Sequence, residues 1–510
     1  MSKTSENNKR IAKNTIFLYI RTFITMVVSL YTSRVVLNAL GVEDFGIWGV
    51  LGGIVAMFSF INTSLSSSIF RYITHAIGVN DNNLLVRTYN ASIIVHIILA
   101  VIVFIFCETI GQWFLTEKMV VPIDKRDMAV IVFHIVIATS CISLVTVPFN
   151  SVIISYERMN IYAYMAILDV FIKLVVAYIV CIVQSYKLVW YASMMLIVSI
   201  CMLVFYILYV HRQFPLLKIQ RIKDKSIFKS ILGFSGWSLV GNLAYVGYSQ
   251  GLNILINMFY GPVVNAARAI SLQIEQTVRT FVGNFQTALN PQIIKNYAQN
   301  EFSQMHLLII RGSKFSLYLL FLFALPIMLE TDHLLFLWLK HVPEHTVAFC
   351  RIMFFVIALE TISNSLGIGV VATGKIKYYH IIVGSILLCI VPLSYISLKL
   401  GGSAESVFYI YLIVEMFAVA SRLLIAHHQI GLPFMDFIYK VIARPSFVIL
   451  LSSFIPFLLH VYLPQGFLRL SCVVVGGIVT SGICIYFLGL DANEKNVVYE
   501  KLVKRIIRRK

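Results

Sequence analysis

Long apolar stretches alternate with short polar segments along almost the whole chain. A helix of about 20 predominantly apolar residues crosses the hydrocarbon layer of a bilayer, and about fourteen such stretches follow one another here. They lack the period-two alternation of membrane β-strands. We therefore predict an all-α polytopic membrane protein. The predicted spans are Asn14–Leu37, Gly46–Phe70, Thr88–Gly111, Met128–Asn150, Ile161–Val183, Leu188–Tyr209, Ile231–Met258, Val263–Leu289, Leu307–Leu329, Val347–Ala372, Tyr378–Leu398, Val407–Ala426, Val441–Leu463 and Leu468–Leu488.

The two halves of the chain share a pattern at a separation of 220 positions. Gly41 aligns with Gly261 (261 − 41 = 220), and Asn80 aligns with Asn300. Each half is therefore predicted to open with a helical hairpin turned at the glycine. Transporters built from such repeats bind substrate near the middle of the membrane. We predict an N-lobe of six spans (1–226), a C-lobe of six (227–439), and a terminal part (440–510) with two spans and a basic amphipathic tail.

The composition agrees with a membrane protein and changes the meaning of the net charge. The chain is 59% hydrophobic and 13% charged, whereas soluble domains are about 45–50% apolar and about 25% charged. The formal charge of +18 would suit nucleic acid. However, most Lys and Arg fall on segments that are cytoplasmic if both termini are inside, as the positive-inside rule requires. We therefore predict contact with anionic phospholipids and no nucleic-acid partner.

No enzyme or metal motif is found in the sequence. The eight cysteines are scattered singly, and no P-loop, nucleophile elbow or zincin motif is present. The longest predicted outer loops, 112–127 and 331–346, leave no room for a soluble catalytic domain. We predict a protein that is not an enzyme and has no cofactor. A membrane oligosaccharide polymerase stays as an alternative.

The eighth predicted span carries a polar stripe. Arg268, Glu275, Arg279 and Gln286 are separated by seven, four and seven positions, so at about 100° per residue they share one helix face. Lipid cannot satisfy these groups, and a charge near the bilayer centre costs at least about 2.5–3.5 kcal/mol. Either the stripe is a polar seam with Glu275 and Arg279 paired, or it lines a substrate cavity. We favour the cavity, because one positive charge in this helix stays unbalanced.

Other charged residues within the spans keep two interpretations open. Arg21 lies in the first span, and Arg34 lies near its outer end, where it either reaches headgroups or binds substrate. Lys173 lies four residues after Asp169 and either pairs with it or contacts substrate. Guanidinium groups match phosphate oxygens bidentately, whereas a cavity for organic cations needs unpaired carboxylates. The arginines therefore favour an anionic substrate.

Coupling to an ion gradient also stays open. The remaining acidic side chains in or beside the spans are Glu108, Glu360 and Glu415, and we expect no cluster among them. Each is able to bind H⁺ or Na⁺. The sequence does not distinguish the two ions.

Two segments resemble a known family. The run NKRIAKNTIFLYIRTFITMVVSLYTSRVVLNALGVEDFGIWGVLGGIVAMFSFINTSLSSSIFRYI (Asn8–Ile73) is similar to the start of Wzx-type polysaccharide-lipid flippases. ARAISLQIEQTVRTFVGNFQTALNPQIIKNYA (Ala267–Ala298) is similar to another part of the same proteins. These flippases belong to the MOP superfamily together with the MATE multidrug exporters and the lipid II flippase.

The resemblance implies two six-helix lobes forming a V around a central cavity. It implies diphosphate contacts for Arg21, Arg268 and Arg279, and a groove for a polyprenyl tail at Val441–Leu488. The first span lacks the ion-coupling Asp of many drug exporters, which is a departure from that branch.

The resulting hypothesis is a flippase for undecaprenyl-diphosphate-linked oligosaccharide in a bacterial inner membrane, serving O-antigen, capsule or exopolysaccharide synthesis. Contact with a polysaccharide polymerase or glycosyltransferases is a further expectation. A cation-coupled multidrug exporter of the same fold is the first alternative. The predicted substrate-binding residues are Arg21, Arg34, Lys173, Arg268, Glu275 and Arg279.

Overall fold

The computed structural model describes residues 3–56, 59–117, 125–220, 225–339 and 342–498. Within these ranges every regular element is helical. A helix satisfies its backbone hydrogen bonds within one segment, which is the condition that hydrocarbon imposes on a spanning chain. The predicted all-α multi-span fold class is confirmed.

The described part contains eighteen α-helices, numbered here in chain order. Short segments of wider helical turns at Cys107–Gly111, Ile438–Ala443 and Ile485–Gly489 connect or extend some of them. The α-helices are α1 Lys3–Ala56, α2 Ser59–Gly78, α3 Asn82–Phe106, α4 Gln112–Glu117, α5 Arg126–Ser155, α6 Met159–Ile182, α7 Lys187–Gln213, α8 Lys225–Ala298, α9 Phe302–Leu329, α10 Thr331–Leu339, α11 Thr346–Thr373, α12 Lys377–Leu388, α13 Ile390–Lys399, α14 Ser406–Ile430, α15 Phe434–Phe437, α16 Arg444–Tyr462, α17 Phe467–Cys484 and α18 Ala492–Val498.

Eleven segments in the described ranges are long and apolar enough to cross a membrane. Each coincides with a predicted span. The three predicted spans outside this set are Gly46–Phe70, which runs from α1 into α2, and the two on α8, Ile231–Met258 and Val263–Leu289. The two spans on α8 are helical and rich in Gly, Ser, Asn and Gln, and residues 57 and 58 of Gly46–Phe70 lie outside the described residues. Large apolar side chains stay exposed on many of the spans, as lipid contact requires.

The predicted internal repeat is visible in the backbone. Gly41 breaks α1 at φ 80° and ψ 169°, and Gly261 breaks α8 at φ 77° and ψ −173°. This region is essentially open to glycine alone. Asn80 and Asn300, the second pair at the same offset, both adopt the left-handed conformation, with φ 54° and 58°. The two halves therefore turn at equivalent positions.

The chain forms two compact units. Unit 1 comprises Met1–Leu243 and Thr287–Glu301, and unit 2 comprises Ala244–Gln286 and Phe302–Lys510. Helix α8 thus contributes to both units, and its last part returns to unit 1. The lobe boundaries at 226 and 439 stay predictions.

A buried carboxylate joins three parts of unit 1. Glu157 lies in the turn between α5 and α6, with only 1% of its side chain exposed. Its oxygens lie 2.7 Å from Arg10 Nε of α1, 2.7 Å from Gln292 Nε2 and 2.6 Å from Lys295 Nζ, the last two on α8. Both oxygens of this buried carboxylate therefore have hydrogen-bond donors beside them, as a buried charge requires.

In unit 2, helices α16 and α17 form a terminal pair that packs against α9. The carboxylate of Glu330, fully buried just after α9, lies 2.7 Å from His460 Nδ1 of α16 and accepts a hydrogen bond of 2.9 Å from Arg469 Nη2 of α17. Helix α18 is also joined to α9, because Lys314 Nζ of α9 donates to Glu494 of α18 at 2.7 Å. The predicted amphipathic tail, 493–510, lies mostly outside the described residues.

Candidate substrate cavity and charge cluster

The polar stripe on α8 follows the break at Gly261 and belongs to unit 2. Arg279 donates from Nε and Nη2 to Glu275 Oε1, at 2.9 and 2.5 Å. Its Nη1 contacts a second carboxylate, that of Glu360 on α11. Arg268 is 2% exposed, with Nη1 3.7 Å from Glu275 Oε2 and its guanidinium 5.0 Å from the ring centre of Phe408. The stripe is therefore folded against α11 and α14.

Helix α14 adds a second ion pair to this cluster. Arg422 Nη1 donates to Glu415 Oε1 at 2.5 Å and to Ser363 Oγ of α11 at 2.8 Å. Tyr411 donates to Glu360 Oε1 at 2.9 Å, and its hydroxyl lies 3.0 Å from that of Tyr248 on α8. Helices α8, α11 and α14 are thus joined by one network of charged and phenolic groups.

The network balances its charges, which corrects two expectations. It contains three arginines and three glutamates, so the excess positive charge expected on α8 is cancelled by a carboxylate from α11. Glu360 and Glu415, which we expected to lie apart, belong to the same cluster. Two signals were present in the sequence, namely the polar run from Glu360 to Asn364 and the heptad separation of Glu415 and Arg422.

A polar cavity of about 310 Å³ opens beside the network. Gln286 donates to the Thr361 carbonyl at 3.0 Å and accepts from Asn364 Nδ2 at 2.5 Å, which ties its wall together. Arg268 does not line this cavity, whereas Arg279 does. The residues lining it are Tyr245, Tyr248, Arg279, Val282, Gly283, Gln286, Glu360, Thr361, Ser363, Asn364, Tyr379, Leu387 and Arg422.

A second cavity in unit 2 is apolar and larger, about 680 Å³. Residues of α9, α11 and α16 line it, among them Phe321, Ala358 and Phe454, and serines supply its only polar side chains. On α11 the positions 355, 358, 359 and 362 face this apolar cavity, at the spacing of one helix face. Glu360 and Asn364 lie on the opposite face and line the polar cavity. Helix α11 therefore separates the apolar cavity, called the apolar groove below, from the polar cavity.

The other predicted site residues, Arg21, Arg34 and Lys173, lie in unit 1. Arg21 is half-buried, with its guanidinium 4.8 Å from the ring centre of Tyr162. Lys173 Nζ donates to Asp169 at 2.7 Å, which is the structural pair that the spacing allowed. Arg34 is exposed. Among the described residues, no group of three His, Cys, Asp or Glu side chains is arranged to hold a metal ion.

The sequence matches no family model and no curated protein. Solved structures are similar. One is a multidrug resistance MATE family transporter of the MOP superfamily in an outward-facing conformation, with a TM-score of 0.72 at 16% identity over 83% of this chain and 96% of that chain.

Two further structures have the same coverage. A MATE protein in a straight conformation gives a TM-score of 0.71 at 17% identity. A MOP superfamily transporter from Pyrococcus furiosus Vc1, for which reverse polarity of the binding pocket suggests a different function, gives 0.70 at 17% identity. At this identity the similarity shows a shared fold. The chain has a MATE-like fold.

Proposed function

We propose that this protein is a flippase that moves an undecaprenyl-diphosphate-linked oligosaccharide across a bacterial cytoplasmic membrane by alternating access, with both termini in the cytoplasm. The product would feed O-antigen, capsule or exopolysaccharide assembly. The fold supports a transporter of some kind, because the solved structures that share it are named as transporters.

The observation that carries this proposal is the contrast between the two faces of α11. An amphiphile with a long hydrocarbon chain and a polar head needs an apolar groove and a polar, hydrated cavity within reach of each other. Unit 2 offers an apolar groove of about 680 Å³ and a polar cavity of about 310 Å³ on opposite faces of one helix. A small soluble solute would need only one of them.

The diphosphate is proposed to bind at Arg279, which lines the polar cavity. This guanidinium already contacts Glu275 and Glu360. If Arg279 left these carboxylates and no other positive group replaced it, the broken buried pair would cost about 3–5 kcal/mol. Proton uptake by Glu360 or Glu275 would remove that cost. Binding of the diphosphate is therefore proposed to be linked to proton uptake by one of these carboxylates.

A multidrug exporter is the competing function, because one structure with this fold carries that name. An organic cation needs a carboxylate without a counter-charge. The three glutamates of the cluster pair with three arginines instead. The charge balance therefore disfavours a cationic substrate.

Deletion of the gene in its host tests the class of substrate. We expect loss of surface glycan with no change in sensitivity to cationic dyes, and restoration by the wild-type protein but not by Arg279→Ala at equal protein level. Unchanged surface glycan together with dye hypersensitivity would favour the exporter and overturn the flippase.

A matched pair of variants tests the apolar groove. Ala358→Trp places an indole in the groove and is expected to reduce restoration of surface glycan at least tenfold, because the hydrocarbon chain loses its space. Ala420→Trp, on an exposed position of α14, is the control and should restore fully. Equal restoration by both variants would remove the groove from the proposal.

A further inference from the structure

The polar cavity of unit 2 carries hydrogen-bonding groups in addition to Arg279, the residue proposed to bind the diphosphate. Its volume of about 310 Å³ is at the lower end of the range of small-molecule pockets, about 300–1,000 Å³. It is therefore large enough for one small polar unit and too small for a whole oligosaccharide.

The charges around this cavity cancel. Arg279 and Arg422 reach its wall together with Glu360, and the nearby Glu275 and Glu415 complete the ion pairs. While these carboxylates are ionised, a bound anion would meet them and a bound cation would meet guanidinium groups; the diphosphate is proposed to bind only after proton uptake has removed that repulsion. A ligand without net charge avoids both repulsions.

Hydrogen-bonding groups remain free on the wall. Within the described residues, the hydroxyls of Tyr245 and Tyr379 have no hydrogen-bond partner, and Asn364 uses only its amide nitrogen, towards Gln286. A phenol both donates and accepts, and the amide oxygen accepts. This combination suits alcohol groups, which also donate and accept. A site built in this way strongly rejects analogues that lack the hydroxyl.

Three tyrosine rings give the cavity its apolar surface. Tyr245 and Tyr248 pack edge to face with ring centres 5.4 Å apart, and Tyr379 lines the wall with them. Rings of this kind offer flat faces for C–H groups alongside their polar hydroxyls. A pyranose has this mixture, with C–H groups on its faces and hydroxyls around its edge.

We infer that this cavity is a subsite for one uncharged sugar residue, recognised through its hydroxyls by Tyr245, Tyr379 and Asn364. The inference deepens the proposed function, on which its biological meaning rests. In this assignment the arginine and glutamate network also holds α8, α11 and α14 in place around a neutral ligand.

Binding to the full-length protein in lipid nanodiscs tests the subsite directly. The probes are an array of neutral and acidic oligosaccharides, with sodium pyrophosphate and sodium chloride as competitors. At a pH at which the carboxylates are ionised, we expect binding to at least one neutral glycan that 1 mM pyrophosphate and changes in Na⁺ do not displace. Binding only to acidic glycans, or no binding to any neutral glycan, would overturn the inference.

Adjacent tyrosines provide matched variants. Tyr379→Phe removes one hydroxyl from the cavity and should weaken binding about fivefold, the value of one net hydrogen bond. Tyr378→Phe is the control, because Tyr378 is 66% exposed and does not line the cavity; it should bind as the wild type. Asn364→Leu should weaken binding at least about tenfold, since it also leaves Gln286 without its donor. Equal binding by all four proteins would contradict the assignment.

The outcomes separate the subsite from the flippase function. Loss of surface glycan on gene deletion, together with full restoration by Tyr379→Phe and Asn364→Leu, would leave the flippase standing and overturn the subsite. Neutral-glycan binding that is sensitive to Tyr379, in a protein whose deletion leaves surface glycan intact, would support the subsite and reject the flippase.

Discussion

Glu360 balances the charge of the polar stripe on α8, because it supplies the second carboxylate that Arg279 contacts. The pairing of Glu275 with Arg279 could be predicted from their spacing of four residues. The contact with Glu360 could not, since it depends on which helix packs against α8. The sequence spacing therefore predicted the pair within α8, but the balance of charge across the helices followed only from their packing.

Gly261 provides a prediction at the residue scale. Replacing it with Ala should lower stability by about 1–3 kcal/mol, because its φ of 77° and ψ of −173° are strained for any residue with a Cβ. Among the described residues no atom lies within 4 Å of the added Cβ, so the expected cost is that of the backbone. The measurement is the thermal unfolding midpoint of the purified protein.

Gly233→Ala is the matched control for this substitution. Gly233 lies in the same helix, has ordinary helical geometry and also has no atom within 4 Å of a built Cβ. Alanine is a better helix former than glycine, so this variant should be as stable as the wild type or more so. A midpoint for Gly261→Ala equal to that of Gly233→Ala would show that the break carries no strain.

At the scale of elements, the terminal helix pair depends on one buried carboxylate. Glu330→Gln keeps the shape of the side chain but leaves the half-buried Arg469 and His460 without their anion. Breaking a buried pair in this way costs about 3–5 kcal/mol, so the unfolding midpoint should fall by several degrees. Asp332→Asn, which removes the partner of Arg351 in an exposed pair, should cost about 0–1 kcal/mol. Similar midpoints for the two variants would show that Glu330 does not hold the pair.

The elements themselves were largely predictable. Eleven spans were evident from length and hydropathy, because lipid demands the same pattern of each. The same pattern predicted spans 7 and 8, which lie on α8 and carry more polar side chains, and span 2, part of which lies outside the described residues. The cavities on either side of α11 were not predictable, since they depend on which residues of α8, α9 and α16 face them.

At the scale of the whole molecule, the internal repeat was predictable and the composition of the units was not. The offset of 220 positions was readable from Gly41 and Gly261, because only glycine accepts their backbone angles. The return of residues 287–301 to unit 1 depends on long-range contacts such as those of Lys295 and Gln292 with Glu157. No local pattern in the sequence encodes them.

Glu157 provides the prediction at this scale. Glu157→Gln removes the charge that Lys295 and Arg10 meet, while Gln accepts the same backbone angle. Amide hydrogen exchange in the last turns of α8 should become at least about tenfold faster, because this part of the helix loses a buried ion pair. Asp127→Asn, at an exposed position of unit 1, should leave that exchange unchanged. Unchanged exchange in Glu157→Gln would mean that apolar packing alone holds the segment.

The passage of α8 through both units has a practical consequence for dissecting the protein. A gene cut at codon 226 or 243 would strand Glu157 without Gln292 and Lys295, two of its neighbours. A cut between codons 301 and 302 would keep every segment of unit 1 on one fragment. To keep unit 1 intact, circular permutation and split-protein complementation should therefore place the new ends after Glu301, which leaves the unit 2 segment 244–286 on the same side of the cut as unit 1.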